Sequence, residues 1–139
     1  MNSKDKIEEK KEGKKQKILL VEDDPFIRKL YRNKLTLAGF AVDEAISGEE
    51  GLNKIKAGRP DLVLLDIVLP RKSGLDVLVE IRGNEKTKDV PVIVLSVLGQ
   101  IQNIRRGLAL GAQDYLVKSE ITISEVVTKI RECLKNKKL

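Results

Sequence analysis

Five short apolar runs alternate along the chain with five stretches of helical periodicity. The runs predict strands at 17–22, 41–45, 61–66, 90–96 and 113–118. Three of them are almost unbroken: Ile18-Leu19-Leu20-Val21, Leu62-Val63-Leu64-Leu65 and Val92-Ile93-Val94-Leu95. A strand that does not alternate apolar and polar positions is covered on both faces, as in a parallel sheet flanked by helices.

The intervening segments carry helix signals. Asp24-Pro25 reads as an N-cap followed by proline at the first helical position. Ser47 with Glu50, and Thr122 with Glu125, match capping boxes. Gly39 and Gly111 stand where left-handed C-terminal caps are expected. A fourth helix is expected at about 99–110 by the same periodicity. The last helix has an apolar stripe of Ile123, Val126, Val127, Ile130 and Leu134, with Cys133 beside it as a packing residue. Alternating strands and helices with short connections predict a doubly wound α/β domain with right-handed crossovers.

Composition narrows the chemistry. The 139 residues fit one domain. A single cysteine excludes an internal disulfide, and the absence of histidine excludes zinc-type sites and Ser-His-Asp triads. The start of the chain is charged and lacks the apolar core of a signal peptide, and no apolar run is long enough to span a bilayer. A cytoplasmic protein without membrane insertion is expected.

The net charge of +6 suggests nucleic acid, but its distribution argues otherwise. Residues 1–17 carry seven lysines against four acids, and residues 129–139 five basic residues against one acid. The body between them is nearly neutral, so nucleic acid is not an expected partner. Residues 1–16 read as a flexible charged segment, 17–135 as the folded domain, and 136–139 as a basic tail.

In a parallel sheet all carboxyl ends of the strands face one rim, where ligands bind. The ends here are Glu22-Asp23-Asp24, Asp66, Ser96 and Lys118. Asp24 is accounted for as a helix cap, and each of the others taken alone has an ordinary structural reading. Together they are coherent. Clustered carboxylates need an offsetting charge. A hard divalent cation with oxygen ligands supplies it, and Mg²⁺ suits a site beside a phosphoryl group. An ionised carboxylate is a phosphoryl acceptor without a general base. A lysine can neutralise phosphoryl oxygens, and a serine hydroxyl can hydrogen-bond one.

These segments resemble response-regulator receiver domains of two-component signalling. The matching stretches are Lys-Ile-Leu-Leu-Val-Glu-Asp-Asp-Pro at 17–25, Asp-Leu-Val-Leu-Leu-Asp-Ile-Val-Leu-Pro at 61–70, Val-Pro-Val-Ile-Val-Leu-Ser at 90–96 and Gly-Ala-Gln-Asp-Tyr-Leu-Val-Lys at 111–118. The resemblance implies a flavodoxin-like five-stranded sheet of order 2-1-3-4-5. It implies Asp66 as phosphoacceptor, Glu22 and Asp23 with Asp66 and the Val68 backbone carbonyl as Mg²⁺ ligands, and Lys118 as the phosphate-binding lysine. Ser96 and Tyr115 become the switch pair, with Tyr115 turning inward on phosphorylation.

The expected phosphodonor is a histidine kinase or phosphotransfer protein acting in trans. The face formed by the fourth helix, fifth strand and fifth helix, including Arg105 and Arg106, is expected to meet a downstream protein or a phosphorylation-dependent second copy. The chain reads as a stand-alone switch rather than a turnover enzyme. The alternative is a degenerate receiver that binds partners without phosphorylation. A nucleotide- or flavin-binding enzyme of the same fold would need a glycine-rich loop after the first strand, where Glu22-Asp23-Asp24 stands instead.

Three positions depart from the family pattern. Ser119 replaces the usual proline after the lysine, which predicts a trans bond with a reshaped loop, or a strained cis one. Val97 replaces a small residue after Ser96 and is expected to narrow access to the phosphoryl group. Leu69 stands where methionine is common, an apolar exchange that should be tolerated.

Overall fold

A computed structural model describes residues 14–137. Residues 1–13 and 138–139, which hold most of the expected flexible start and the end of the expected tail, lie outside the described residues. The elements run β1 (Lys17–Val21), α1 (Pro25–Leu37), β2 (Ala41–Ala45), α2 (Gly48–Gly58), β3 (Leu62–Leu65), α3 (Gly74–Arg82), β4 (Val92–Ser96), α4 (Ile101–Ala109), β5 (Asp114–Val117) and α5 (Ile123–Lys137). All strand pairs are parallel, and the sheet order is β2-β1-β3-β4-β5.

The unbroken apolar strands serve two layers at once, because successive side chains point to opposite faces. On one face Leu19, Val21, Val63, Leu65, Val92 and Val94 pack with Leu52 and Ile55 of α2 and Val77, Leu78 and Ile81 of α3. On the other, Ile18, Leu20, Leu62, Leu64, Ile93 and Leu95 pack with Tyr31 and Leu35 of α1 and Val126, Ile130 and Leu134 of α5. The expected stripe of the last helix faces this second layer, and Cys133 packs at its edge.

Most predicted caps form. The Asp24 side chain accepts from the amides of Phe26 and Ile27. Thr122 and Glu125 exchange backbone–side-chain bonds as a full capping box. The Ser47 box is displaced by one residue: Ser47 caps Glu50, but Glu50 reaches back to the Ile46 amide. Gly39 and Gly111 take positive φ, of 100° and 105°, where an L side chain would be strained.

Several strand ends differ from expectation for identifiable reasons. β4 begins at Val92 rather than at 90, since Pro91 has no amide to donate. β5 runs from Asp114, and just before it Gln113 bonds Val92 twice, its amide donating to Val92 O at 2.8 Å and its side-chain Oε1 accepting from the Val92 amide at 2.6 Å. β5 also stops at Val117, and residues Lys118–Glu120 form a 3₁₀ turn. The Lys118–Ser119 bond is trans, the first of the two expected alternatives. α4 is shorter than expected at both ends, and α5 continues through Lys137 rather than ending before 136.

Composition does not single out Arg82, yet it clamps one end of the sandwich. From the end of α3 its guanidinium donates to the carbonyls of Lys88 and Val90, before β4, and to Gly111 and the Gln113 side chain, before β5. Arg82→Met would strand these acceptors, at a cost of about 2–4 kcal/mol. Urea unfolding should show that loss, and Arg82→Lys should recover little of it because an ammonium lacks the planar fork.

The two tyrosines give the fold an alkaline limit. Burial holds both the Tyr31 and Tyr115 phenols above their ordinary value of 10.0, with the charges of Glu22 and Asp66 respectively adding to the effect. The native state therefore keeps protons that the unfolded chain releases first, so stability falls as pH rises beyond 10. Tyrosinate absorbance should show both phenols titrating higher in native than in urea-unfolded protein.

Candidate functional site

Strand register assembles the site. Val21 lies opposite Leu65 in the β1–β3 pair, so the residues that follow, Glu22 and Asp66, leave the sheet side by side. The Asp66 amide donates to Val21 O, and the Glu22 amide to Ala45 O, so both backbones are held at the rim. Ser96 ends β4 opposite Val117, which brings Lys118 to the same rim. β4 and β5 are thus responsible for Ser96 and Lys118, and β1 and β3 for the acids.

Lys118 joins the two carboxylates. Its Nζ lies 2.6 Å from Glu22 Oε1 and 3.1 Å from Asp66 Oδ2. All three side chains are nearly enclosed, at 12% exposure for Lys118, 5% for Glu22 and 7% for Asp66. Burial raises the Glu22 carboxyl above its ordinary range, assisted by the Asp66 charge and opposed by the Lys118 bond. For Lys118 burial works against the charge, but the two carboxylates outweigh it and its pKa is raised. The ammonium thus stays charged, as an anion-binding group must.

Asp23 completes an acidic group. Oxygens of Glu22, Asp23 and Asp66 all lie within 4.8 Å of one another, with Asp23 exposed and the other two buried. An all-oxygen, carboxylate-rich set open to solvent on one side fits a hard divalent cation. The neighbouring bonds orient these groups: Asp24 N donates to Glu22 Oε2 at 3.1 Å, and Val68 N to Asp66 Oδ1 at 3.2 Å. The exposed side chains of Val68 and Val97 stand at the rim.

Ser96 and Tyr115 form a second group. Ser96 is fully buried, and its hydroxyl accepts from the Leu98 amide at 3.2 Å; no bond joins it to Asp66. The Tyr115 ring is buried already, and its hydroxyl donates to Leu98 O at 2.6 Å. The inward ring expected to follow phosphorylation is therefore present in this structure, held by the β4–α4 loop.

Gly74 went unnoticed in the sequence. A β-carbon there would fall 2.1 Å from the Asp66 carbonyl oxygen, so only glycine lets the start of α3 approach the acceptor's backbone. The available signal was a glycine directly after the Ser73 cap, which the Leu75 amide uses. Arg105 and Arg106 are exposed on α4, as expected.

Comparison with known proteins agrees with this geometry. The family model for the response regulator receiver domain matches residues 18–131. The chain is 38% identical over 119 residues to the DNA-binding dual master transcriptional regulator RpaA of Synechocystis, covering 86% of this chain and 49% of that protein. It is 32% identical to a putative response regulator from Chloroflexus aurantiacus, with a TM-score of 0.83 and 88% and 99% of the two chains covered. A CheY-like receiver domain protein from Methanospirillum hungatei gives a TM-score of 0.82 at 27% identity, covering 89% and 97%.

The chain spans about half the length of the curated relatives it matches. The expectation of a stand-alone protein without nucleic-acid partners finds no support in them, since RpaA is by name DNA-binding. Among the described residues no helix is long and apolar enough to cross a membrane. Sheet order, site geometry and family match converge, and the chain belongs to the response-regulator receiver domains of two-component signalling.

Proposed function

We propose that Asp66 accepts a phosphoryl group from a phosphohistidine on a histidine kinase or phosphotransfer protein. The observation that carries this reading is the Lys118 ammonium held between Glu22 and Asp66. An ionised Asp66 oxygen attacks phosphorus as the P–N bond breaks, and the electron pair returns to the donor imidazole, which takes up a proton. Lys118 pairs with a phosphoryl oxygen and offsets its charge. Glu22, Asp23, Asp66 and the Val68 backbone carbonyl would hold Mg²⁺, which when bound offsets the charge of the acids and of the phosphoryl oxygens.

Ser96 then donates its hydroxyl proton to a phosphoryl oxygen, and Tyr115 follows the loop that both residues share. The shift is one of populations, biased by charge-assisted bonds made only in the phosphorylated state. The exposed Phe26 and Leu30 on α1, beside the acidic rim, suit a protein donor. Output passes through the face of α4, β5 and α5 to a downstream protein, a second copy or a further domain. The protein is a phosphoacceptor switch that catalyses its own phosphorylation and dephosphorylation.

Incubation with Mg²⁺ and a small acyl phosphate should add one phosphoryl mass, absent in Asp66→Asn. No adduct on the unaltered chain would favour the phosphorylation-independent interaction module instead. Val97 and Val68 both flank the approach of water to the phosphoryl group. Val97→Ala should therefore hydrolyse its phosphoaspartate faster, and an unchanged rate would remove Val97 from that role.

A further inference from the structure

α4 buries a single residue, and it is a glycine. Gly107 sits in the last turn of the helix, two residues before its end at Ala109, where glycine still costs stability relative to alanine because its backbone loses the most freedom and offers no side chain to pack. A locally poor choice in a well-formed element points to a tertiary demand. That demand is visible: a β-carbon at 107 would fall 2.8 Å from Cδ2 and 3.2 Å from Cε2 of Tyr115, with Val94 next at 4.0 Å.

The ring is held at two ends. Its edge lies against Gly107, and its hydroxyl donates to Leu98 O in the loop that follows Ser96. Ser96 accepts from the Leu98 amide. One residue of that loop is thus bonded by both members of the switch pair, and the ring carries its position across to α4.

We propose that Gly107 is the socket that admits the Tyr115 ring to the interior, so that any larger side chain at 107 and the inward ring exclude one another. Gly107 is then a positioning residue for the switch, acting through Tyr115. The inference rests on reading Ser96 and Tyr115 as the switch pair. A glycine kept only by tolerance would behave differently, because alanine normally strengthens a helix.

The chain has two tyrosines and no tryptophan, so Tyr31→Phe leaves Tyr115 as the sole reporter. In that background Gly107→Ala should expose the ring. Acrylamide should quench its emission more strongly, and its alkaline midpoint should fall toward that of a free phenol. Gly107→Ala should also lower the urea midpoint while the ring is present, and raise it once Tyr115→Ala has removed the ring.

Unchanged quenching and phenol midpoint, or the same stability change in both backgrounds, would overturn the proposal. If Gly107→Ala does not fold, recovery of folding in the double variant supports the socket, and failure in both overturns it. These readouts use protein without a phosphodonor. Adduct formation at Asp66 is measured separately, so failure of either reading is distinguishable from failure of the other.

Discussion

Glu22 and Asp66 emerge side by side from neighbouring strands, both buried, and one ammonium lies between them. Two carboxylates placed this way repel each other and lose hydration together. Lys118 meets that cost from the far side of the rim, where the edge strand β5 ends. The site therefore exists only when the outer strand is in register with the inner ones. Chemistry and topology depend on the same alignment, from Val21 and Leu65 across to Ser96 and Val117.

The scaffold makes that alignment rigid. Every residue of β3 and β4 is buried, with side chains shared between two layers of helices. A slip of one residue would exchange the faces of a whole strand. The carboxyl rim, by contrast, is built from short loops and polar bonds. Ser96, Leu98 and Tyr115 are linked there by hydrogen bonds, at the edge of the apolar cluster that Tyr115 joins. The part that the proposed switch would move is thus held by a few loop hydrogen bonds, while the strands beneath it are locked on both faces.

Much of this was legible in the residues. Short unbroken apolar runs such as Leu62-Val63-Leu64-Leu65, spaced between helical patterns, fit doubly covered strands, and acids at successive strand ends point to one rim. Asp24, Thr122 and Gly111 announced helix ends because capping is local chemistry. Local signals did not reveal contacts made across distance. Arg82 looks like any charged residue at a helix end until Gly111 and Gln113 are brought to it. Gly74 and Gly107 look like weak helix positions until Asp66 and Tyr115 occupy the space they leave. The start of β5 is equally opaque, since Gln113 bonds Val92 through both its amide and its side chain.

The bonds at the two ends of α4 are unequal. At its carboxyl end the Leu110 and Ala112 amides turn back onto Arg106 and Gly107, and Gly111 O is gripped by the Arg82 fork. At its amino end Gln100 provides no side-chain cap, and the helix follows directly on the loop from Ser96. The helix is accordingly a lever with its fulcrum at the rim remote from the carboxylates. A displacement at Leu98 would therefore move Ile101 and Arg105 further than Leu110. Under the proposed switch, the change at this face would be a change of angle more than a translation, greatest at the first turn of α4.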